Sequence, residues 1–323
     1  MKKVITGIKP TGNGMHIGNY LGAFKPFLEI AQGKDAYIFI ADYHSLTSVH
    51  DGSVLKENRT RLIAEYFALL PENSDITIFE QSKVQRINDI SWVLSSVTPY
   101  SLMLRAHSFK DAQNKNSEIN MATFNYPILM TADIITYDID LVPVGKDQKQ
   151  HLEFSRDIAG FINKTYKTDI FKLPEPVISE ELMTIPGTDG RKMSKSYDNF
   201  IGIFDSEKIL KKKIMSIVTD DKGLEEPKDP ETCNVFALIK FFASTEKQKE
   251  IASKYLAGNY GYGHAKLELL SIILEYFKEA RFRFDTYMTN PQLLQERLKI
   301  GNEKANILAD KKYKELMTLT GLE

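Results

Sequence analysis

The chain is short of cysteine, of net charge and of long apolar runs, and each shortage removes a class of protein. Among 323 residues there is one cysteine, Cys233. One thiol cannot close an internal disulfide or build a cysteine-rich zinc or iron–sulfur centre. That fits a reducing compartment. No apolar run reaches the roughly 18 residues that span a bilayer. The opening MKKVITGIKPTG has no signal-like apolar stretch, so cytoplasm is the expected location. Net charge is −1, from 42 basic and 43 acidic side chains. The molecule as a whole exerts no pull on a polyanion, so any nucleic-acid contact must rest on local patches. There is no internal repeat and no low-complexity tract, though residues 111–118 (DAQNKNSE) read as polar and mobile.

What is present is an ordinary globular balance, 42% hydrophobic and 26% charged, enough for a core and about two domains. Residues 4–8, 36–41, 76–80 and 141–144 read as strands. Residues 19–31, 54–70, 123–137 and 148–166 read as helices, with more helix through 92 to 107. Pro26 predicts a kink or a later start in the first of these. Strands alternating with helices argue for a parallel sheet covered on both faces. In such sheets ligands sit beyond the carboxyl ends of the strands, near the switch point. From about 205 onward there is no convincing strand. Residues 205–218, 235–256, 265–288 and 292–319 read as helices, and the GNYGYG tract at 258–263 breaks two of them. The predicted organisation is an α/β domain over 1–200, with a helical insertion at about 85–120, followed by an all-helical domain over 201–323. Residues 198–323 carry 20 basic and 20 acidic side chains, so the charge there gives no sign of RNA.

Two short motifs carry chemistry. Directly after the first strand comes GNGMHIGN, residues 12–19, and then a helix. A glycine-rich turn lets backbone approach phosphates, and a helix start supplies free N–H donors. His16 and Asn19 are three apart and can face one way. Protonated histidine donates two hydrogen bonds and neutral histidine one, so either form suits a phosphate. Taken alone, the motif reads equally as a plain turn. The second motif, PGTDGRKMSKSYD at 186–198, is a breaker-rich loop bearing Arg191, Lys192 and Lys195. Such a loop can close over a polyphosphate and leave with it. Taken alone, a solvated charged loop is the commoner reading.

Together they are far more specific. His16-Ile17-Gly18-Asn19 resembles the HIGH box of class I aminoacyl-tRNA synthetases, and Lys192-Met193-Ser194-Lys195-Ser196 is their KMSKS loop letter for letter. Within that class the chain is similar to the tryptophanyl family over essentially its full length, in GIKPTG, HIGNYLGA, MTADIITYDIDLVPVGKDQKQH and RKMSKS. The resemblance implies a Rossmann-like parallel-sheet catalytic domain, then a helical part that reads the anticodon of tRNA(Trp). It implies ATP with Mg²⁺ riding on its phosphates, L-tryptophan as substrate, and a homodimer with its contact around residues 75–120. No dedicated metal cluster is visible.

The residues themselves make the substrate sensible. In YPILMTADIITY, residues 126–137, Tyr126, Met130 and Asp133 share one helix face. A carboxylate among apolar residues needs a donor. An ionised Asp only accepts and an indole N–H only donates. Pairing with a nearby Lys or a helix terminus is the rival reading. In the tyrosyl relatives a Gln usually stands where Met130 stands; Met offers an indole an apolar wall. By resemblance Asp133 binds the indole N–H, and Met130, Val142, Val144, Ile5 and Gly7 line the ring. His44 lies near the same pocket, and Tyr126 and Gln148 hold the amino and carboxylate groups. Ile5 replaces a frequent Phe and Lys9 a common Gln, which implies a less aromatic pocket with an added cation.

The resemblance assigns Thr11, Gly12, His16, Gly18 and Asn19 to ATP phosphates, with Lys9 near them. Gly145 and Asp147 are assigned to ribose and adenine, Lys110 to the terminal phosphate, and Lys192, Met193, Ser194 and Lys195 to the pyrophosphate-holding loop. His16, Asn19, Lys192 and Lys195 are the expected catalytic set. Available cations in the helical part are Arg281, Arg283, Arg297, Lys304, Lys311 and Lys312. Rival readings are a tyrosyl enzyme, another pathway's adenylyltransferase, or a non-catalytic RNA-binding paralogue.

Overall fold

The computed structural model of the protein describes residues 1–12, 14–106, 109–110, 113, 119–145, 149–178 and 184–323. Five strands form one parallel sheet: β1 (Lys3–Ile8), β2 (Asp35–Ile40), β3 (Thr77–Glu80), β4 (Leu141–Val144) and β5 (Glu175–Ile178), in the order β3-β2-β1-β4-β5. The order reverses at β1, so the crevice beyond β1 and β4 is the switch point of a doubly wound sheet. Alternation along each strand sorts the core into two halves. Val4, Ile38, Ile40 and Ile78 face one side. Ile5, Tyr37, Phe39, Phe79, Val142 and Val144 face the other.

The first crossover shows how Pro26 is absorbed. Ile17–Asn19 (α1) passes through a π-helical segment, Tyr20–Phe24, into Lys25–Ala31 (α2), which carries Pro26 in its first turn. Lys25 N–H bonds to Tyr20 O, a five-residue step taken just before the missing N–H of proline. The expected kink is therefore a widened turn. Among the described residues, the other helices of this half are α3 (Asp42–Ser45), α4 (Gly52–Leu69), α5 (Ile87–Val97), α6 (Tyr100–Met103), α7 (Met121–Ile135) and α8 (Lys149–Thr165).

Further along come α9 (Glu207–Met215), α10 (Asn234–Phe242), α11 (Thr245–Ala257), α12 (Tyr262–Tyr276), α13 (Lys278–Thr289) and α14 (Pro291–Thr320), and no strand among the described residues. Two expected helices are each split, at 243–244 and at Phe277. The first core half runs unbroken from Val4 and Ile17 into Leu210, Ile239, Leu269 and Phe284. The long α14 returns to the sheet: Ala305, Ala309, Leu316 and Met317 join the second core half. Gly301 sits so close to β3 that a Cβ there would lie 1.9 Å from the Ile78 carbonyl oxygen. Asn302 Oδ1 accepts from Glu80 N–H at 2.9 Å, and Asn306 Nδ2 donates to Lys83 O at 2.8 Å. The far end of the chain thus clamps the exit of β3.

That packing uses most of the cations singled out in the helical part. Arg281 donates to the carbonyls of Ile203 and Asp205, and Arg283 to those of Ala68 and Leu70. Arg297 covers the Phe67 ring and bonds to Tyr287. Lys304 reaches Asp35, and Lys312 reaches Ile170 O and Asp138. Of the six, Lys311 points outward. Five are spent on internal contacts and are corrected from available cations to structural ones.

Candidate active site

Four chain segments leave the carboxyl ends of the strands and meet at the crevice. The turn after β1 brings Lys9 to Asn19. α3 follows β2 with His44, and a 3₁₀ turn, Gln81–Lys83, follows β3. Gly145 follows β4 and is exposed. Asp147 and Gln148, assigned above to ATP and tryptophan, lie outside the described residues.

The glycine turn is held from beneath by a carboxylate. Glu65 of α4 is fully buried, accepts the Met15 N–H at 2.7 Å, and pairs with Arg61 Nε at 2.8 Å. Burial raises its pKa and Arg61 pulls it back. Gly14 has φ +60, and a Cβ there would stand 2.3 Å from Glu65 Oε1. Only glycine fits the conformation and the space. Gly14→Ala should raise the ATP KM several-fold and lower the melting temperature by several degrees. Steady-state titration of ATP with a thermal melt checks this, and a variant indistinguishable from wild type in both would contradict it.

His16 caps α1: its Nδ1 accepts the Asn19 backbone N–H at 3.2 Å. Burial first, then Lys195 and Lys213, lower its pKa to about 4. It is therefore neutral at pH 7. With Nδ1 accepting, the proton sits on Nε2, which is the one donor left for a phosphate. Because its folded pKa lies below the ordinary value, the stability tied to the neutral ring is present above about pH 6.5 and is lost as pH falls towards 4. Lys9 is half-buried, its pKa is lowered by burial, and its Nζ donates to Thr47 Oγ1 at 2.8 Å. Thr11 closes the turn through its N–H to Lys9 O at 2.9 Å.

The KMSKS segment lies against this turn. Ile17 N–H bonds to Ile201 O and Ile203 N–H to Met15 O, at 2.9 and 3.0 Å. Met193 is buried, and its Sδ accepts the Gly18 N–H at 3.2 Å. Lys195 Nζ donates to Gly12 O at 2.6 Å. Burial lowers the Lys195 pKa, while Glu65 pulls it upward. Lys192 is exposed. The loop is more tightly knit than its composition suggests. Buried Asn199 accepts the Ser194 N–H at 2.7 Å and donates to Asp189 and to Lys192 O at 2.6 and 3.1 Å. Lys110 is exposed on the helical turn after Ala106, and no contact among the described residues joins it to the cradle.

Across the sheet lies the second half of the crevice. Asp133 of α7 is 2% exposed. Among the described residues its donors are a histidine and an amide, with no lysine or helix terminus. His44 Nε2 lies 2.8 Å from Oδ2, and Gln81 Nε2 donates to Oδ1 and Oδ2 at 2.9 and 2.8 Å. Burial raises the Asp133 pKa; the bonds from His44 and Gln81 work against it. The Tyr126 ring lies 4.4 Å from the His44 ring. Met130 is half-buried beside them, while Val142 and Val144 are buried on the same sheet face. Ile5 is fully buried within that face, so it underlies the site. Gly7, two residues on, is exposed, and a Cβ there would strike the Phe39 ring at 2.2 Å.

Three residues not named from the sequence thus belong to the site: Glu65 beneath the turn, Phe39 against Gly7, and Gln81 on Asp133. Gln81 had a readable signal, a polar residue directly after a β-strand. Glu65 sits in the closing turns of α4, where every residue from Ile63 to Leu69 is buried whatever its face, and had none.

Residues 1–278 match the family described as tRNA synthetases class I (W and Y). The chain belongs to that family. A tryptophan–tRNA ligase of Fusobacterium nucleatum is 47% identical over 322 residues, spanning 100% of this chain and 98% of that relative. The crystal structure of the Campylobacter jejuni tryptophanyl-tRNA synthetase complexed with ADP and tryptophan superposes with a TM-score of 0.95 at 43% identity, covering 99% of each chain. The Mycoplasma pneumoniae synthetase superposes at 0.78 with 25% identity, over 100% of this chain and 98% of that one. The Rossmann-like expectation holds for this synthetase, parallel sheet and helical surround alike.

Proposed function

We propose that the synthetase activates L-tryptophan with ATP to tryptophanyl-adenylate and pyrophosphate, then transfers the tryptophanyl group to the 3′-terminal ribose of tRNA(Trp), at its 2′-hydroxyl. The activity is that of an ATP-dependent tryptophan–tRNA ligase. The observation that carries the substrate is the buried acceptor Asp133, set in an apolar face and held by a histidine and an amide. Its Oδ2 takes two described hydrogen bonds and its Oδ1 one, so Oδ1 keeps a lone pair for an indole N–H.

The reaction needs no protein nucleophile. The tryptophan carboxylate attacks the α-phosphate in line, and catalysis is positioning and charge stabilisation. His16 Nε2–H meets phosphate oxygens, with Asn19 beside it. Lys195, and Lys192 from the exposed side of its loop, stabilise the departing pyrophosphate. Met193 and Ser194 set the height of that loop over Gly18. Gly12, Thr11 and Lys9 form the near wall, and Gly145 with Asp147 takes the ribose and adenine. Tyr126, His44 and Gln148 surround the amino acid head group, and Met130, Val142, Val144 and Gly7 surround the ring.

Among the described residues no three His, Cys, Asp or Glu side chains come together to hold an ion. Mg²⁺ would arrive with ATP and would supply charge neutralisation on the phosphates. No described helix is long and apolar enough to cross a membrane, and the cytoplasm remains the location we infer. Trp92 and Tyr100 are 79 and 68% exposed. They support a homodimer contact in the 75–120 region, with the helices after residue 200 reading the anticodon.

Pyrophosphate exchange into ATP tests the assignment. Tryptophan should support exchange without tRNA, and tyrosine should not. Equal rates with both, or none with either, overturn it.

A further inference from the structure

Gln81 is buried and polar, and beyond holding Asp133 it has been given no role in substrate choice. Its amide is spent completely. Nε2 donates to both oxygens of Asp133, at 2.9 and 2.8 Å, while Oε1 accepts the backbone N–H groups of Tyr43 and His44, at 3.1 and 3.4 Å. Those contacts fix which end of the amide faces the carboxylate: the oxygen is held by two N–H donors, so the NH₂ must point at Asp133. The residue itself is immobilised from behind. Ser82 N–H and Oγ bond to the buried Asp42, Glu80 N–H bonds to Asn302, and Lys83 O is held by Asn306.

We propose that Gln81 is a specificity-determining positioning residue, whose amide keeps Asp133 an acceptor and thereby favours the indole over the phenol. The inference rests on the tryptophan reading above. An indole nitrogen only donates, so it bonds more strongly to the ionised carboxylate, which accepts at both oxygens, than to the protonated form, which keeps one neutral acceptor. A phenol hydroxyl donates or accepts, so it pairs equally well with a protonated one. Without the amide, Asp133 is left in an apolar wall with His44 as its one described donor. Such a carboxyl takes up a proton and becomes a donor. The tryptophan bond then loses its charge assistance and weakens, while the phenol gains a donor it can accept from.

The groups facing Asp133 act in both directions. His44 from α3 and Gln81 from the 3₁₀ turn favour the ionised form. Asp42, itself paired with Arg59, favours the protonated form. Tyr126 and Tyr137 on and after α7 carry pKa values raised by burial first and then by the Asp133 charge, so both stay neutral. Gln81 is the one of these whose amide holds both oxygens at once and carries no charge of its own.

Two variants test this by pyrophosphate exchange between pH 6 and 9. In Gln81→Met the tryptophan KM should rise on the order of tenfold near pH 7 and recover as pH rises, because Asp133 ionises again. The tryptophan-over-tyrosine ratio of kcat/KM should fall by about the same factor, while the ATP KM stays within twofold. In Gln81→Glu the introduced carboxyl and Asp133 share one proton, and when that proton sits on the introduced group its O–H replaces the amide donor. The tryptophan KM of that variant should be near wild type at low pH and rise with pH, the opposite slope. Flat KM profiles in both variants, with unaltered tyrosine rejection, overturn the inference. So does a parallel loss towards tryptophan and ATP, which marks a structural role. If Gln81→Met fails to fold, the slope of the Gln81→Glu variant decides alone. A wild-type enzyme without tryptophan exchange would sink the parent assignment instead, which separates the two failures.

Discussion

Asp133→Ala should raise the tryptophan KM by roughly two to three orders of magnitude and leave the ATP KM within about twofold. The size follows from what the alanine strands. A hydrogen bond to a charged acceptor contributes about 1.5–3 kcal/mol, and each buried donor left unpaired costs about 1–3 kcal/mol more. With the carboxylate gone, the indole N–H, His44 Nε2 and Gln81 Nε2 all lose their partner at once. A water in the vacated space recovers part of this, which keeps the effect below the full sum. ATP is spared because its cradle lies on the opposite side of the sheet crossing, built on Glu65, Gly14, His16 and Lys195. Stability should change little. The lost bonds are offset by removing a carboxylate that burial already disfavours. Asp133→Asn keeps one acceptor and should fall between alanine and wild type. Steady-state titration of each substrate separates the cases. Unchanged tryptophan kinetics in Asp133→Ala would remove Asp133 from the pocket.

The reach of sequence reasoning into this molecule follows the range of the forces involved. Periodicity is local, so Tyr126, Met130 and Asp133 could be placed on one face before any fold was known, and α7 bears that out. Glycines with a fixed turn geometry are also local, as Gly12 and Gly14 show with φ of +85 and +60. β5 was missed because Glu175–Ile178 carries Pro176 after Pro174, which reads as loop. It is the sheet's edge strand, where a missing N–H costs least. The splits at 243–244 and 277 were missed because neither holds a Gly or Pro. Yet Ser244 caps α11 by accepting the Lys247 N–H at 3.3 Å, a serine signal that can be read. Partners across the sheet were beyond reach. Gln81 meets Asp133 only because β3 lies two strands from β1, and α14 then holds its flanks. The loop bearing Lys192 and Lys195 was expected to be loose from its breakers and charges. Asn199, a single buried side chain beyond the motif, ties it down.

Lys195→Ala should lower kcat for tryptophan activation by about 10²–10³ and change the ATP KM by only a few-fold. The Lys195 ammonium donates to Gly12 O, at 2.6 Å, from a partly desolvated position within the field of the Glu65 carboxylate. Gly12 O competes with phosphate for this ammonium. Its attraction to ground-state ATP is therefore offset, and little of it appears in KM. In the transition state, charge grows on the oxygens of the leaving pyrophosphate. A preplaced cation in a low-dielectric site then returns its full interaction, of the size measured for single oxyanion-type donors. Lys192 is exposed and screened by water, so Lys192→Ala should cost less than its neighbour. Lys195→Arg keeps the charge but brings a planar fork where a compact ammonium sits under Gly12, and should restore only part of the rate. Pre-steady-state measurement of adenylate formation separates chemistry from binding. A Lys195→Ala enzyme whose loss lies wholly in ATP affinity, with its single-turnover rate intact at saturation, would show that the lysine holds the substrate and does not lower the barrier.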